Sequence, residues 1–312
     1  MIITRTPMRL SLLGGNTDFP KYFRKYGGAV LTCTIDKYVY VIIKDRFDDE
    51  IWINYSDKEK VKKVSDIKHD LVREAMKLVG VEKGVEITFL SDIPSEGSGL
   101  GSSSAVTVGL LNALHNYKGE SVPARQLAEE ACRIEVDILK NPIGYQDQYA
   151  VAFGGLNLIY FDKDKITVKS LKENTLSKSL LLLYTGVTRD ANKILSKMKL
   201  KKKILDRNKE LAFLGSELID DSEEIGVLLD LYWELKRKLN KNVTNDNFDT
   251  IYSNAKDVGA IGGKIVGAGG GGFFLFVVPI EKREIVKRAL RLKELPFRLS
   301  KHGSQTIFNI DE

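Results

Sequence analysis

Apolar and polar positions follow two rhythms along the first half of the chain. Residues 39–44 and 50–55 alternate with a period of two around the polar turn Phe47-Asp48-Asp49, which predicts a pair of strands. Residues 66–79 place Ile67, Leu71, Ala75 and Leu78 on one face at helical spacing. Residues 85–90 read as a strand, followed by a glycine-rich turn and a helix over 101–115. Pro123 opens another helix, with Leu127, Ala131, Ile134 and Ile138 on its apolar stripe. Residues 156–161 and 166–168 predict a hairpin.

The second half changes character. Residues 180–184 predict a buried strand, and 190–240 are charged with helical period. Strands over 264–266 and 273–278 are separated by glycines, a helix covers 281–292, and 297–299 is the expected final strand. The polar stretch 170–179 predicts a boundary, dividing the chain into 1–175 and 176–312. The fold class is α+β in two lobes, with the glycine-rich segments facing a cleft between them.

Three segments carry chemistry. The first is Gly97-Ser98-Gly99-Leu100-Gly101-Ser102-Ser103-Ser104-Ala105, between a predicted strand and a predicted helix. Glycines allow positive φ and close approach of backbone to ligand. Free N–H groups at a helix N-terminus, aided by the helix dipole, bind anions. Serine hydroxyls add donors and can ligate Mg²⁺. No lysine follows Gly101, so this is not the GxxxxGK[ST] loop. A plain glycine-serine turn with serine caps is the alternative. The flanking strand and helix favour phosphate binding.

The second segment, Gly267-Ala268-Gly269-Gly270-Gly271-Gly272, fits GxGxxG. A dinucleotide site needs a helix next, whereas the aromatic strand beginning Phe273-Phe274 follows. The run is expected to be a loop lining a ligand cleft, with a tight hairpin turn as the plainer reading. The third segment, residues 9–19, sets Arg9, Gly14, Gly15 and Asp18 close to an N-terminal strand. Asp18 either caps a helix starting near Pro20 or binds a substrate hydroxyl.

Phosphoryl transfer needs cations against the phosphate charge and a group that orients or deprotonates the acceptor hydroxyl. The chain has three histidines: His69 and His115 sit in helical patterns, and His302 lies in the C-terminal segment. Carboxylates are therefore expected to do this work. Glu135 flanks the apolar stripe after Pro123, and Asp147 follows the break at Pro142 and Gly144. That break lets both acids face one cleft, Glu135 toward Mg²⁺ and Asp147 as base. Taken singly, each is a solvated charge; the phosphate loop is what groups them.

Composition narrows the partners. With 312 residues, 43% hydrophobic and 29% charged, the chain can bury a core in one large domain or two ordinary ones. Cys33 and Cys132 form neither a CxxC pair nor a Cys/His cluster, so a disulfide framework and a zinc site drop out and a reducing, cytoplasmic setting is expected. No apolar run reaches the ~20 residues a bilayer requires, and no signal-peptide pattern opens the chain, so no membrane partner is expected. A net charge of +6 suits an anionic ligand such as ATP, a sugar phosphate or nucleic acid. The run Lys201-Lys202-Lys203 reads as a solvated helix end, and no basic motif interleaved with aromatics points to nucleic acid. Oligomeric state is open, a homodimer being one option.

In this order the three segments resemble the galactokinase, homoserine kinase, mevalonate kinase and phosphomevalonate kinase (GHMP) family over essentially the whole chain. Gly99-Leu100-Gly101-Ser102-Ser103-Ser104-Ala105 is the most specific part. The resemblance implies a ribosomal-protein-like N-terminal domain, a ferredoxin-like C-terminal domain and ATP in the cleft between them. It implies that Gly97, Ser98, Gly99, Leu100, Gly101, Ser102, Ser103 and Ser104 wrap the ATP phosphates and that Ser103 and Glu135 hold Mg²⁺. Asp147 looks like the base, and Arg9 resembles the arginine that steadies charge near the transferred phosphoryl. Asp18 resembles a sugar-binding aspartate, with Gly15, Asn16, Thr17, Arg189, Gly269 and Gly270 as further substrate contacts.

Within the family, Arg9-Leu10-Ser11, Gly14-Gly15-Asn16-Thr17-Asp18, Thr34-Ile35-Asp36-Lys37-Tyr38 and Thr185-Gly186-Val187-Thr188-Arg189 look closest to D-glycero-D-manno-heptose 7-phosphate kinases. That implies transfer to the anomeric hydroxyl, giving a 1,7-bisphosphate. Asn16 stands where the family usually has a third glycine; asparagine tolerates left-handed backbone angles, and its side chain would lie near the sugar. A phosphorylated acceptor implies cationic contacts, with Lys21, Arg24, Lys25, Arg189 and Lys193 as candidates and Arg189 first by its motif. The alternatives are another sugar or alcohol acceptor (fucose, galactose, a mevalonate-like alcohol), a non-catalytic ATP-binding regulator, and a nucleic-acid-binding protein.

Overall fold

The chain starts as β1 (Ile2–Leu13), α1 (Pro20–Tyr26), β2 (Gly28–Asp45), β3 (Ile51–Asn54), β4 (Lys58–Val61), α2 (Asp70–Val79) and β5 (Val85–Ser91). It continues with α3 (Ser102–Tyr117), α4 (Ala124–Cys132), α5 (Gln146–Phe153), β6 (Leu156–Phe161) and β7 (Ile166–Leu171). The remainder is α6 (Leu176–Ser179), β8 (Leu180–Tyr184), α7 (Lys202–Glu217), α8 (Ser222–Leu239), α9 (Asp246–Asp257), β9 (Gly262–Ile265), β10 (Phe273–Val277), α10 (Arg283–Leu290), β11 (Lys293–Glu294) and β12 (Gln305–Asn309). The structure is a computed structural model that describes residues 1–94, 97–172, 176–188, 194–195 and 200–310.

The first sheet runs β12-β1-β2-β5-β3-β4, and β6 and β7 branch from β2. The branching comes from the length of β2. Its first part, from Gly28 to Cys33, pairs with β6, and its last part, from Val39 to Asp45, pairs with β5. This corrects the expected pairing of 39–44 with 50–55. β5 lies between β2 and β3, and β3 runs parallel to it, with Ile53 beside Ile87. Alternation predicts that a segment is a strand but not which neighbour it takes, and the polar turn after Asp45 is a connection, not a hairpin. β12 was missed. It returns to pair antiparallel with β1, Ile2 opposite Asn309. Residues 297–299, expected as the last strand, contribute one bridge, Leu299 to Ile35. A single cut near 175 therefore does not follow the chain's path, because its last strand rejoins the first sheet.

The second sheet has the order β11-β8-β10-β9. Both of its faces are covered, which is why β8 and β10 read as unbroken apolar runs. Leu180, Leu182, Leu275 and Val277 share the core of the first sheet, while Leu181, Leu183, Phe274 and Phe276 face a second cluster with Trp233 and Phe248. Alternating side chains thus join one core to the next.

The helix after Pro123 departs from its predicted stripe. Its last turn, Arg133–Ile138, is π-helical, and the Leu139 N–H reaches back to the carbonyl of Ile134. Insertion of a residue into the turn rotates the side chains beyond it. Ile138, predicted on the apolar stripe, is 42% exposed, and Glu135 is completely buried.

Candidate active site

Arg9 is the hub. It sits in the middle of β1 and is 4% exposed. Its backbone N–H donates to the Leu100 carbonyl at 2.8 Å, and its Nη1 donates to the Gly99 carbonyl at 2.6 Å. Its Nε and Nη2 donate to the two oxygens of Asp147, at 2.7 and 2.5 Å. One guanidinium therefore fixes the turn before α3 and the first turn of α5 together, in the bidentate geometry that arginine and carboxylate share. Gly101 has φ +76° and no room for a side chain, since a Cβ there would stand 2.8 Å from Arg9 Cγ.

The turn at 97–101 has the form an anion site needs. Gly97, Gly99 and Gly101 all have positive φ. α3 starts at Ser102 without a side-chain cap, so the N–H groups of its first turn have no partner within the helix. Ser98 and Ser102 are buried with their hydroxyls 3.0 Å apart, Leu100 is buried as the loop's anchor, and Ser103 is exposed. The second glycine run closes on this turn. A Cβ on Gly272 would stand 2.4 Å from the Ser98 carbonyl oxygen. Gly272 itself is held by Thr185, whose N–H and hydroxyl both donate to its carbonyl at 2.9 Å. Gly269 and Gly270 pack elsewhere: their nearest neighbours are Val243, Ile194 and Asn242, and Gly270 N–H donates to the Val243 carbonyl at 2.7 Å.

Asp18 lies beside the start of α5, next to Asp147. It does not cap α1, which begins after Phe19 without a side-chain cap, but meets the first N–H of α5 instead. Its Oδ2 accepts from the Gln146 N–H at 3.1 Å, its Oδ1 has no partner among the described residues, and it is 1% exposed. Burial raises its pKa to about 6, and the neighbouring charge of Asp147 adds to the rise. Gly144 makes the approach possible, since any Cβ there would overlap Asp18 Oδ2. Within the same turn Thr17 is structural: its hydroxyl donates to the carbonyls of Gly14 and Ala29. Asn16 takes the left-handed conformation, φ +72°, that the missing glycine would have supplied.

Glu135 reaches the site from the π turn. Ser104 and Gln148 both donate to its Oε2 at 3.0 Å, and its Oε1 has no described partner. Burial lifts its pKa to about 7. The serine that touches Glu135 is thus Ser104, while Ser103 makes no described side-chain contact with it. A buried carboxylate oxygen without a donor fits a hard cation. Among the described residues no group of three His, Cys, Asp or Glu side chains could hold a metal alone. Arg189 and Lys193 lie outside the described residues, and Lys21, Arg24 and Lys25 are exposed on α1.

Two family descriptions match the chain: "GHMP kinases N terminal domain" over residues 63–155 and "GHMP kinases C terminal" over residues 217–294. A D-glycero-alpha-D-manno-heptose 7-phosphate kinase of Campylobacter jejuni is 32% identical over 94% of both chains. The chain belongs to the GHMP kinases. A crystal structure of a D-glycero-D-manno-heptose 1-phosphate kinase from Bacteroides thetaiotaomicron superposes on this GHMP kinase with TM-score 0.82 and 27% identity, covering 99% of each chain. A galactokinase of Pyrococcus furiosus is 25% identical over 93% of this chain and 92% of its own. The two-domain α+β architecture is that of the family, and the enzyme is a phosphotransferase acting on a sugar hydroxyl, with ATP the family's phosphate donor. No helix among the described residues is long and apolar enough to cross a membrane.

Several residues around the site were missed in the sequence. Gln146 and Gln148 stood beside the expected Asp147 without a signal of their own, and Ser104, expected at the ATP phosphates, was not expected beside Glu135. Lys264 is different: it is a lysine in a buried four-residue strand, 1% exposed, donating to the Leu12 carbonyl of β1 at 2.7 Å. Burial, reinforced by the charge of Arg9, pushes its pKa well below the ordinary lysine value. A cation inside an apolar strand was legible as an anomaly, but its partner lies 252 residues away.

Proposed function

We propose that this GHMP kinase transfers the γ-phosphoryl of ATP to the anomeric hydroxyl of D-glycero-D-manno-heptose 7-phosphate, giving the 1,7-bisphosphate. The observation that carries the acceptor side is the pair of buried oxygens Asp18 Oδ1 and Gln146 Oε1, which have no partner among the described residues and lie next to the Arg9–Asp147 ion pair. Acceptors left without donors in a buried site call for a ligand rich in hydroxyl groups. The two relatives named for heptose phosphates support the choice of sugar, and they differ in the position of its phosphate.

The backbone from Gly97 to Gly101 and the N-terminus of α3 cradle the ATP phosphates. Asp147 orients the acceptor hydroxyl and takes its proton; Arg9 fixes the carboxylate in place. Transfer through a loose transition state asks more for positioning than for a strong base, so a carboxylate tied to arginine suffices. Glu135, with the hydroxyls of Ser103 and Ser104 in the first turn of α3, holds Mg²⁺. That ion offsets charge on the β- and γ-phosphates when bound. The turn from Gly15 to Asp18 flanks the sugar. Lys21, Arg24, Lys25 and Arg189 are the candidates for its phosphate, and the first three follow Asp18 on α1.

Incubation with heptose 7-phosphate and Mg-ATP, followed by ³¹P NMR, tests the reading. A new resonance coupled to the anomeric proton is expected. Phosphorylation of fucose, galactose or mevalonate with none of the heptose phosphate would overturn the choice of acceptor.

A further inference from the structure

Tyr232 belongs to α8, in the second lobe, and none of the segments singled out in the sequence includes it. It is 2% exposed. Its hydroxyl hydrogen-bonds to none of the described residues, although a buried tyrosine usually finds a partner. That hydroxyl abuts the acceptor-side turn: a Cβ built on Gly15 would stand 2.6 Å from it and 3.6 Å from Ser11 Oγ. The Ser11 hydroxyl is likewise unspent, and Ser11 is 4% exposed. Asn208, fully buried on α7, donates to the Gly15 carbonyl at 3.4 Å and leaves its Oδ1 without a described partner. Burial and the charge of Asp18 push the Tyr232 phenol up, and Asp18 Oδ1 has no partner among the described residues.

Gly15 lies so close to the Tyr232 hydroxyl that no side chain fits between them. Its φ lies outside the left-handed region, so the backbone does not demand glycine there. The demand comes from space beside the Tyr232 hydroxyl. Lys264 holds Tyr232 in place. Its ammonium lies 4.4 Å from the centre of the tyrosine ring and ties β9 to the Leu12 carbonyl, two residues before the turn at Gly14. Among the described residues no carboxylate pairs with Lys264, so a cation–π contact and one carbonyl fix it between the lobes.

We propose that Tyr232 and Ser11 form an acceptor-selecting niche closed by Gly15, which takes one hydroxyl of the sugar distant from the reacting one, and that Lys264 is its positioning residue. The inference rests on the reading of Asp18 as the sugar-side carboxylate. A ligand hydroxyl placed there donates to one neighbour and accepts from the other, which suits a polyol and rejects a deoxy sugar at that position.

The test uses the whole enzyme and whichever sugar of the panel the wild type phosphorylates. Tyr232→Phe keeps the ring and its contact with Lys264, and is expected to raise the acceptor KM about tenfold, the worth of one hydrogen bond. The KM for ATP should stay within twofold. Gly15→Ala is expected to raise the acceptor KM at least as much. The double variant Gly15→Ala/Tyr232→Phe relieves the clash, so it should regain the thermal stability that Gly15→Ala loses while the acceptor KM stays high. Lys264→Met should raise the acceptor KM, and Lys264→Arg should restore part of it. If Tyr232→Phe leaves the acceptor KM unchanged, or shifts the ATP KM equally, the niche is structural only and the inference fails. A wild type that phosphorylates no sugar would instead sink the function on which it rests.

Discussion

Arg9 and Arg46 make the same hydrogen bonds and do opposite things. Each places Nε and Nη2 on the two oxygens of one aspartate, Arg9 on Asp147 and Arg46 on Asp48. Arg46 reaches a partner two residues away, lies against the face of Trp52 at 4.1 Å and spends its remaining nitrogen on Glu86. Arg9 reaches a partner 138 residues away and spends its remaining nitrogen on the Gly99 carbonyl. The first pair folds a loop against itself in water, where an ion pair is worth little. The second joins the phosphate turn, the first strand and the helix bearing Asp147 at one point. Geometry alone does not mark a functional ion pair; what it connects does.

Cutting the long-range pair should have the largest effect. Asp147→Asn removes the proposed proton acceptor and is expected to lower turnover by about 10²–10⁴-fold. Binding of a non-hydrolysable ATP analogue, measured by calorimetry, should persist because the phosphate turn remains. Near-normal turnover would remove Asp147 from the reaction.

The next effect concerns acids that, unlike Asp147, accept no hydrogen bond from a cationic side chain among the described residues. Asp18 has a folded pKa of about 6 against an ordinary 3.8. A folded value raised above the unfolded one means the folded chain holds the proton more tightly. Its stabilising effect is present below about pH 4 and is lost as pH rises through 6. Asp18→Asn should therefore be more stable than the wild type at pH 8, by up to about 3 kcal/mol, and equal to it at pH 4. Denaturant titrations at the two pH values check this, and a variant less stable at pH 8 refutes it. The same substitution should abolish sugar turnover, so stability and activity move in opposite directions.

Glu135 follows the same sign with its pKa near 7. Glu135→Gln should keep the hydrogen bonds from Ser104 and Gln148 only in part and raise the Mg²⁺ concentration for half-maximal rate about tenfold, a loss of ~1.4 kcal/mol. A magnesium titration of initial rates reads it directly. An unchanged midpoint would place the cation elsewhere.

The sequence carried the local parts of this site and lost the long-range ones. The strand, glycine turn and helix over 85–117 were legible because glycine, serine and apolar period all point the same way within one stretch. The hairpin of β6 and β7 was legible for the same reason. β12 was not: its exposed Ile307 and Phe308 bury little, and only its partner β1 makes it a strand. Nor was the π turn, since one inserted residue leaves no mark on composition yet turns Glu135 inward and Ile138 outward. Asp18 could be read from sequence as a cap for the helix after Pro20 or as a ligand, and its actual neighbour, Gly144, which leaves room for its carboxylate, lies far along the chain. Gly269 and Gly270 look like cleft glycines in sequence, but Gly272 is the one that meets Ser98.

Breaking the local pair should change least, and that is what makes the comparison sharp. Asp48→Ala removes the bidentate partner of Arg46, yet Arg46 retains Glu86 and the face of Trp52. The Asp48 carboxylate is 40% exposed, and Arg46 holds its pKa below the ordinary value through that hydrogen bond. Water and salt supply most of what the pair loses, because exposed charges are screened within about 8–10 Å at physiological ionic strength. The kcat and both KM values should equal those of the wild type, and a small fall in the melting temperature at low salt should vanish at high salt. If Asp48→Ala lowered kcat, the β2–β3 connection would be coupled to the site, and the distinction between a pair that links distant elements and one that closes a loop would not separate function from surface.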